Sequence, residues 1–301
     1  MPASPDHLTT SARRVSAAIA ARAGVGLRAP HFEAVLQGHP DIGWFEVHSE
    51  NYFGLGGGTD IGGKPLDYLQ RIRYDYPVSL HGVGMSLGST DALDRRHLAQ
   101  LKALMERVEP GLVSEHLSWS SVGGRYFNDL LPLPYSEEAL AHMVGRVSEV
   151  QEYLGQQLLI ENASAYLSFD GATMSEWEFL SELAARSGCA ILLDINNVYV
   201  NAMNQGFDPL HFLQAMPVDK VQEIHLAGHT VKQFAHGEWR IDSHDQPVCE
   251  EVWSLYQMAV ARFGALPTLI EWDSNLPPLA TLLDEAERAD HVMAERYAHI
   301  A

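Results

Sequence analysis

The chain has 301 residues, with 20 basic and 39 acidic side chains and a formal net charge of −19. Hydrophobic residues at 46% and charged ones at 20% are the balance of a globular protein, and the length suits one large α/β barrel or two ordinary domains. The charge argues against nucleic-acid binding, which depends on neutralising phosphates, and two cysteines cannot build a disulfide framework or a thiolate metal site. Fifteen histidines, by contrast, are an excess that points to metal chemistry.

The N-terminal stretch, residues 1–23, is polar and alanine-rich and is broken by Arg13, Arg14 and Arg22, so it reads as an extension or a helix rather than an export signal. No window approaches the roughly 18 uncharged apolar residues of a spanning helix, and a cytoplasmic protein with free thiols is expected. Short apolar runs then recur at 24–27 (GVGL), 43–48 (GWFEVH), 78–82 (VSLHG), 112–116 (LVSEH), 158–162 (LLIEN), 190–194 (AILLD), 221–226 (VQEIHL) and 267–272 (PTLIEW). Most are continuously rather than alternately apolar, as in parallel strands buried on both faces. A glycine-rich loop at 54–63 follows the second run; it lacks a lysine–serine pair after it and is read as a flexible lid rather than a phosphate cradle.

Helical periods lie between the runs. Leu98, Leu101, Leu104, Met105 and Val108 share one face of a helix over 94–108. Ser136, followed by Glu137 and Glu138, predicts a capped helix, and further helices are predicted over 175–186, 250–263 and 279–301. Strand and helix alternate without a compositional break, which predicts a single (β/α)8 TIM barrel spanning 1–301; a doubly wound open sheet is the alternative. No Gly-x-Gly-x-x-Gly follows the first run to favour a dinucleotide fold.

From the second run onward, each ends in a potential metal ligand: His48, His81, Glu115 with His116, Glu161 with Asn162, Asp194, His225 and Glu271. Asn197 follows Asp194 closely, and Asp242 and His244 alternate in the loop after the seventh run. Parallel barrel strands point their C-terminal ends at one face, where active sites form. One such residue is most simply a hydrogen-bonded core group or a helix cap; seven consecutive strand ends are not, because so many carboxylates brought together need cations. An imidazole–carboxylate set with one amide and no thiolate suits iron, manganese or catalytic zinc. Cys189, at a strand start, and Cys249, at a helix start, read as thiols outside this chemistry.

The segments GVGLRAPHFEAVL, GWFEVHSENYF, SLHGVGMSLGS, VSEHLSWS, LIENASAYL, LLDINNVYVNA, EIHLAGH, DSHDQPV and LIEWDSNLP together resemble the DUF692 (UPF0276) family of multinuclear non-haem iron-dependent oxidative enzymes, to which the oxidase of methanobactin biosynthesis belongs. The resemblance runs from about Gly24 to Pro278. It implies a TIM barrel related to endonuclease IV and xylose isomerase, with two or three iron ions at its mouth. It also implies O2-dependent oxidation of cysteines in a ribosomally made precursor peptide, and a partner protein that presents the leader.

Carried over by motif, His48 and His81 resemble ligands at one end of the cluster, and Glu115 and Glu161 resemble carboxylates bridging adjacent irons. Asp194, His225 and Glu271 resemble the central shell, and Asn197, Asp242 and His244 the ligands of a further ion. His116, Asn162 and His229 are expected behind them, orienting ligands through their other hydrogen-bonding atoms. A metal-dependent hydrolase or nuclease, a sugar isomerase and a non-catalytic metal-binding protein are the competing readings.

Overall fold

A computed structural model describes residues 15–55, 59–235 and 237–300. Eight parallel strands close into a barrel: β1 (Ala23–Gly26), β2 (Trp44–His48), β3 (Val78–Gly82), β4 (Leu112–His116), β7 (Leu159–Glu161), β8 (Ala190–Asp194), β9 (Val221–Ala227) and β12 (Thr268–Glu271). They pair in chain order and β12 closes on β1, so the eight apolar runs are the eight staves. The remaining strands form two antiparallel hairpins, β5 (Trp119–Val122) with β6 (Arg125–Leu131) and β10 (Thr230–Phe234) with β11 (Gly237–Ile241). These follow β4 and β9, beyond the C-terminal ends of those strands. They were not legible as strands in the sequence because β6 and β10 are largely exposed and lack an apolar face, holding mainly by pairing with one another.

Helices form where apolar side chains repeat along one face, and each expected helix is present: α3 (Arg95–Val108), α4 (Glu137–Leu154), α5 (Glu176–Ser187), α8 (Glu250–Phe263) and α9 (Leu279–Ile300). Ser136 caps α4 by accepting from the Ala139 amide at 3.3 Å, and Ser175 with Glu178 forms a capping box on α5. Helices α1 (Phe32–Gly38), α2 (Lys64–Asp75), α6 (Ile195–Gln205) and α7 (Pro209–Ala215) complete the outer layer. Of the expected N-terminal extension, residues 1–14 lie outside the described residues, and 15–22 run into β1 without forming a helix. Of the expected lid, residues 56–58 lie outside the described residues, while the Gly54 amide donates to the Asp60 carbonyl at 2.8 Å.

The barrel interior is layered, as side chains of alternate parity along each strand point inward. At the N-terminal end Trp44 fills the interior and donates its indole N–H to the Arg22 carbonyl at 3.0 Å. Gly24, its cross-strand partner, leaves room for it, since a Cβ there would come within 2.5 Å of the indole ring. As the first residue of its strand, Trp44 lies at the end of the barrel opposite the mouth. Leu159, Ala190 and Leu192 form an apolar patch on the same inner wall, below the strand ends. Among the described residues no helix is long and apolar enough to cross a membrane.

Candidate metal centre

Strand parity decides which side chains meet. Glu46 and His48 share the inner face of β2, Ser114 and His116 that of β4, and Glu223 and His225 that of β9. Contacts across the barrel and the cross-strand register establish this: His225 lies 3.4 Å from Glu46 on a non-adjacent strand, and His48 pairs with His81 and His116 with Glu161. At the C-terminal ends the inner residues form a continuous cluster.

Its first group is His81, His116 and Glu161. The Nε2 atoms of both histidines lie 3.2 Å from Glu161 Oε2, an oxygen with no hydrogen-bond partner. His116 Nδ1 donates to the Gly82 carbonyl at 3.0 Å and His81 Nδ1 meets the Ser114 hydroxyl at 2.7 Å, which leaves both Nε2 atoms facing the cluster. The second group is Glu161, Asp194, His225 and Glu271, whose ligating atoms lie within 4.8 Å of one another. Glu161 Oε1 is 3.9 Å from His225 Nδ1, so its two oxygens face different groups. Glu271 does the same, with Oε2 at 3.1 Å from His225 Nδ1 and 3.5 Å from His244 Nδ1, and Oε1 at 3.5 Å from His48 Nε2.

Asp194 shows why strand-end carboxylates are ambiguous in a sequence. Its Oδ1 caps α6 by accepting from the Asn197 amide at 2.6 Å, while Oδ2 is buried without a partner. The Asn197 side-chain amide donates to the Asn162 carbonyl at 3.0 Å and leaves its own Oδ1 orphaned. Asn162 bonds twice to the Asp194 backbone, at 2.9 Å each way. Asp242 and His244 meet at 2.6 Å, and His229 reaches Asp242 through Asn196 (2.9 Å, then 2.7 Å). Asn162 and His229 thus stand behind Asp194 and Asp242.

Two placements differ from expectation. Glu115 does not face the cluster: it is one residue out of phase with Ser114 and His116 and points to the helix layer. There it accepts from the Met85 amide at 3.1 Å and the His116 amide at 2.9 Å, beside Glu50 and His97. His116, expected behind the ligands, faces the cluster instead, and Glu271 is the carboxylate that, like Glu161, turns its two oxygens to different imidazoles. Four residues were missed. Glu46 and Glu223 repeat two residues before His48 and His225, a period that marks them as inward-facing. Arg28 and Asp273 carried no such signal. The Arg28 guanidinium donates to Asp273 at 2.5 Å and to His48 Nε2 at 3.1 Å, and lies 3.8 Å from Glu271.

Burial and crowding shift the titrations. Burial pushes Glu161 up to about 8 against the pull of His116 and His225, and burial together with Asp242 pushes Asp194 up to about 7. His116 is pushed up to about 10: burial opposes its charge, but Glu161 and Glu115 outweigh it. Burial and the neighbouring imidazoles hold His81 well below the usual range. Glu271 is held well below its usual range because His244 and His225 overcome burial. The cysteines lie elsewhere, Cys189 just before β8 with its thiol pushed up to about 11 by burial, and Cys249 at the start of α8. The donor set is therefore nitrogen and oxygen, and its orphaned buried oxygens fit divalent ions.

A closed parallel barrel with a histidine–carboxylate cluster at its C-terminal mouth is a TIM barrel carrying a candidate metal centre. Solved structures agree on the fold. A xylose isomerase domain-containing protein of Salmonella typhimurium superposes with a TM-score of 0.58 at 13% identity, covering 91% of this chain and 97% of that one. A D-tagatose 3-epimerase-like protein does so at 0.57 and 14%, covering 92% and 99%. The family described as RiPP precursor modification enzyme MbnB/TglH/ChrH matches residues 22–294. A UPF0276 protein of Vibrio parahaemolyticus is 51% identical over 272 residues, covering 90% of this chain and 92% of that protein. Another, of Acaryochloris marina, is 50% identical over 273 residues, covering 91% and 95%. The chain belongs to this family of enzymes that modify ribosomally made precursor peptides.

Proposed function

We propose that the chain is an iron-dependent oxidase that uses O2 to modify cysteine residues of a ribosomally made precursor peptide, presented by a partner protein that binds the leader. The observation that carries the metal part of this reading is the pair Glu161 and Glu271. Each buried carboxylate turns its two oxygens toward different groups of imidazoles, the arrangement needed to hold two or three ions side by side. His81, His116, Asp194, His225 and His244 would complete the inner ligand positions, with His48, Asn197 and Asp242 toward the rim. Bound iron supplies one-electron chemistry for O2 reduction and Lewis acidity.

The protein's own groups set the conditions for that chemistry. No described cysteine lies in the cluster, so a sulfur ligand would have to come from the substrate. Asn162 braces the Asp194 backbone, and Asn196 passes the hold of His229 to Asp242, which limits reorganisation of the ligands. Arg28, paired to Asp273 beside His48, places positive charge at the rim where an anionic thiolate or carboxylate of a peptide would arrive.

The test is anaerobic reconstitution with ferrous iron, then incubation with a cysteine-containing precursor peptide and any partner protein encoded beside this chain, with intact mass as the readout. A mass change at cysteine that requires O2 supports the reading. An unchanged peptide with full iron loading and the partner present overturns it.

A further inference from the structure

Below the mouth the barrel holds a second ionisable layer that the ligand set does not use. Glu46 and Glu223 come from β2 and β9, which are not neighbours in the barrel, and both are fully buried. None of their four carboxylate oxygens has a hydrogen-bond partner, and neither has Nε2 of His225, the atom they face. That nitrogen lies 3.4 Å from Glu46 Oε1 and 3.8 Å from Glu223 Oε1. The opposite edge of the same ring, Nδ1, lies 3.1 Å from Glu271 and 3.9 Å from Glu161. His225 therefore stands between two sets of carboxylates, one at the mouth and one in the interior.

Interior layers of such barrels are ordinarily filled by branched apolar side chains, and carboxylates are buried there only at a cost in solvation. Their presence needs partners: they face one another, and the imidazole facing both is His225. A neutral imidazole carries one proton, and the nitrogen that keeps it cannot ligate a metal. Glu46 Oε1, the nearer of the two at 3.4 Å, can only accept at Nε2 when ionised. We propose that Glu46 and Glu223 are positioning residues that keep the proton of His225 on Nε2 and so present the Nδ1 lone pair to the ion held by Glu161, Asp194 and Glu271. The inference rests on the metal-centre reading above but on neither iron nor O2.

The experiment therefore uses zinc and cobalt as probes. In zinc-loaded wild-type protein with 15N-labelled histidine, the His225 ring, assigned by its loss in H225Q, is expected to show a protonated Nε2 and a metal-bound Nδ1. The reverse tautomer overturns the proposal. In cobalt titrations followed by d–d absorption, the double variant E46L/E223L is expected to bind its weakest-held ion about 10- to 100-fold less tightly with an altered spectrum. E46Q, whose amide oxygen still accepts the N–H, keeps the wild-type spectrum. Unchanged affinity and spectrum in a folded E46L/E223L protein refute the positioning role. So does anomalous scattering from a zinc ion between Glu46, Glu223 and Nε2, which would make this layer a metal site. If peptide oxidation fails while these results hold, the oxidase reading falls and this inference stands.

Discussion

Loading the metal-free protein with ferrous iron should release protons, and the structure sets how many. At pH 7 Glu161, pushed up to about 8, and His116, pushed up to about 10, each hold a proton that a ligand must lose. So does His225, where burial is outweighed by Glu46 and Glu223 and the imidazole is held well above its usual range. Asp194, at about 7, holds one half the time. Occupation of the first two groups should therefore release between about three and four protons at pH 7. Each fully held proton makes apparent affinity tenfold weaker per pH unit below the pKa, so affinity should fall at least about 1,000-fold from pH 7 to pH 6, equivalent to about 4 kcal/mol. Anaerobic calorimetry in buffers of different ionisation enthalpy reads the proton count directly. A net release below one proton per loaded chain, or an affinity independent of pH between 6 and 7, would show that the cluster is already deprotonated and refute the reasoning.

Other outcomes follow from particular residues. His116→Ala should lose at least one equivalent of bound iron by elemental analysis, whereas Glu115→Gln should retain the wild-type stoichiometry; equal losses in both would mean that strand parity does not decide which side chain ligates. Glu176, buried at the start of α5 and accepting from Asn201 at 3.3 Å, is pushed up to about 8 by burial. A raised carboxyl contributes stability that is full below about pH 4.5 and lost as pH rises through about 8, so Glu176→Gln should gain on wild type by about 3–5 kcal/mol between pH 5 and pH 9 in denaturant titrations. A constant difference across that range would count against a buried, titrating Glu176. At Gly228, an added Cβ would sit 1.9 Å from the backbone oxygen of Gln246, so Gly228→Ala should destabilise the protein by roughly 2–4 kcal/mol in urea unfolding. An unaffected midpoint would mean that the loop carrying Asp242 and His244 moves freely away from β9.

The barrel was legible in the sequence because strands buried on both faces must be continuously apolar and surface helices must repeat every three to four residues, patterns local to each segment. So was the convergence of the candidate ligands, since the strand-end residues His48, His81, Glu161, Asp194, His225 and Glu271 share one face of any closed parallel barrel. What a strand end does not reveal is which of two adjacent polar residues points inward. Glu115 and His116 differ by one position, and only the register of β4 against β3 and β7 turns His116 to the cluster and Glu115 to α3. The same closure brings Glu46 and Glu223, 177 positions apart in the numbering, onto one edge of His225. It also carries Arg28 and Asp273 from opposite ends of the chain to the rim. Composition and periodicity are properties of neighbouring residues and determined the staves, the helices and the histidine–carboxylate composition of the mouth. Contacts between non-adjacent strands depend on how the barrel closes, and that tertiary geometry alone decided which side chains meet.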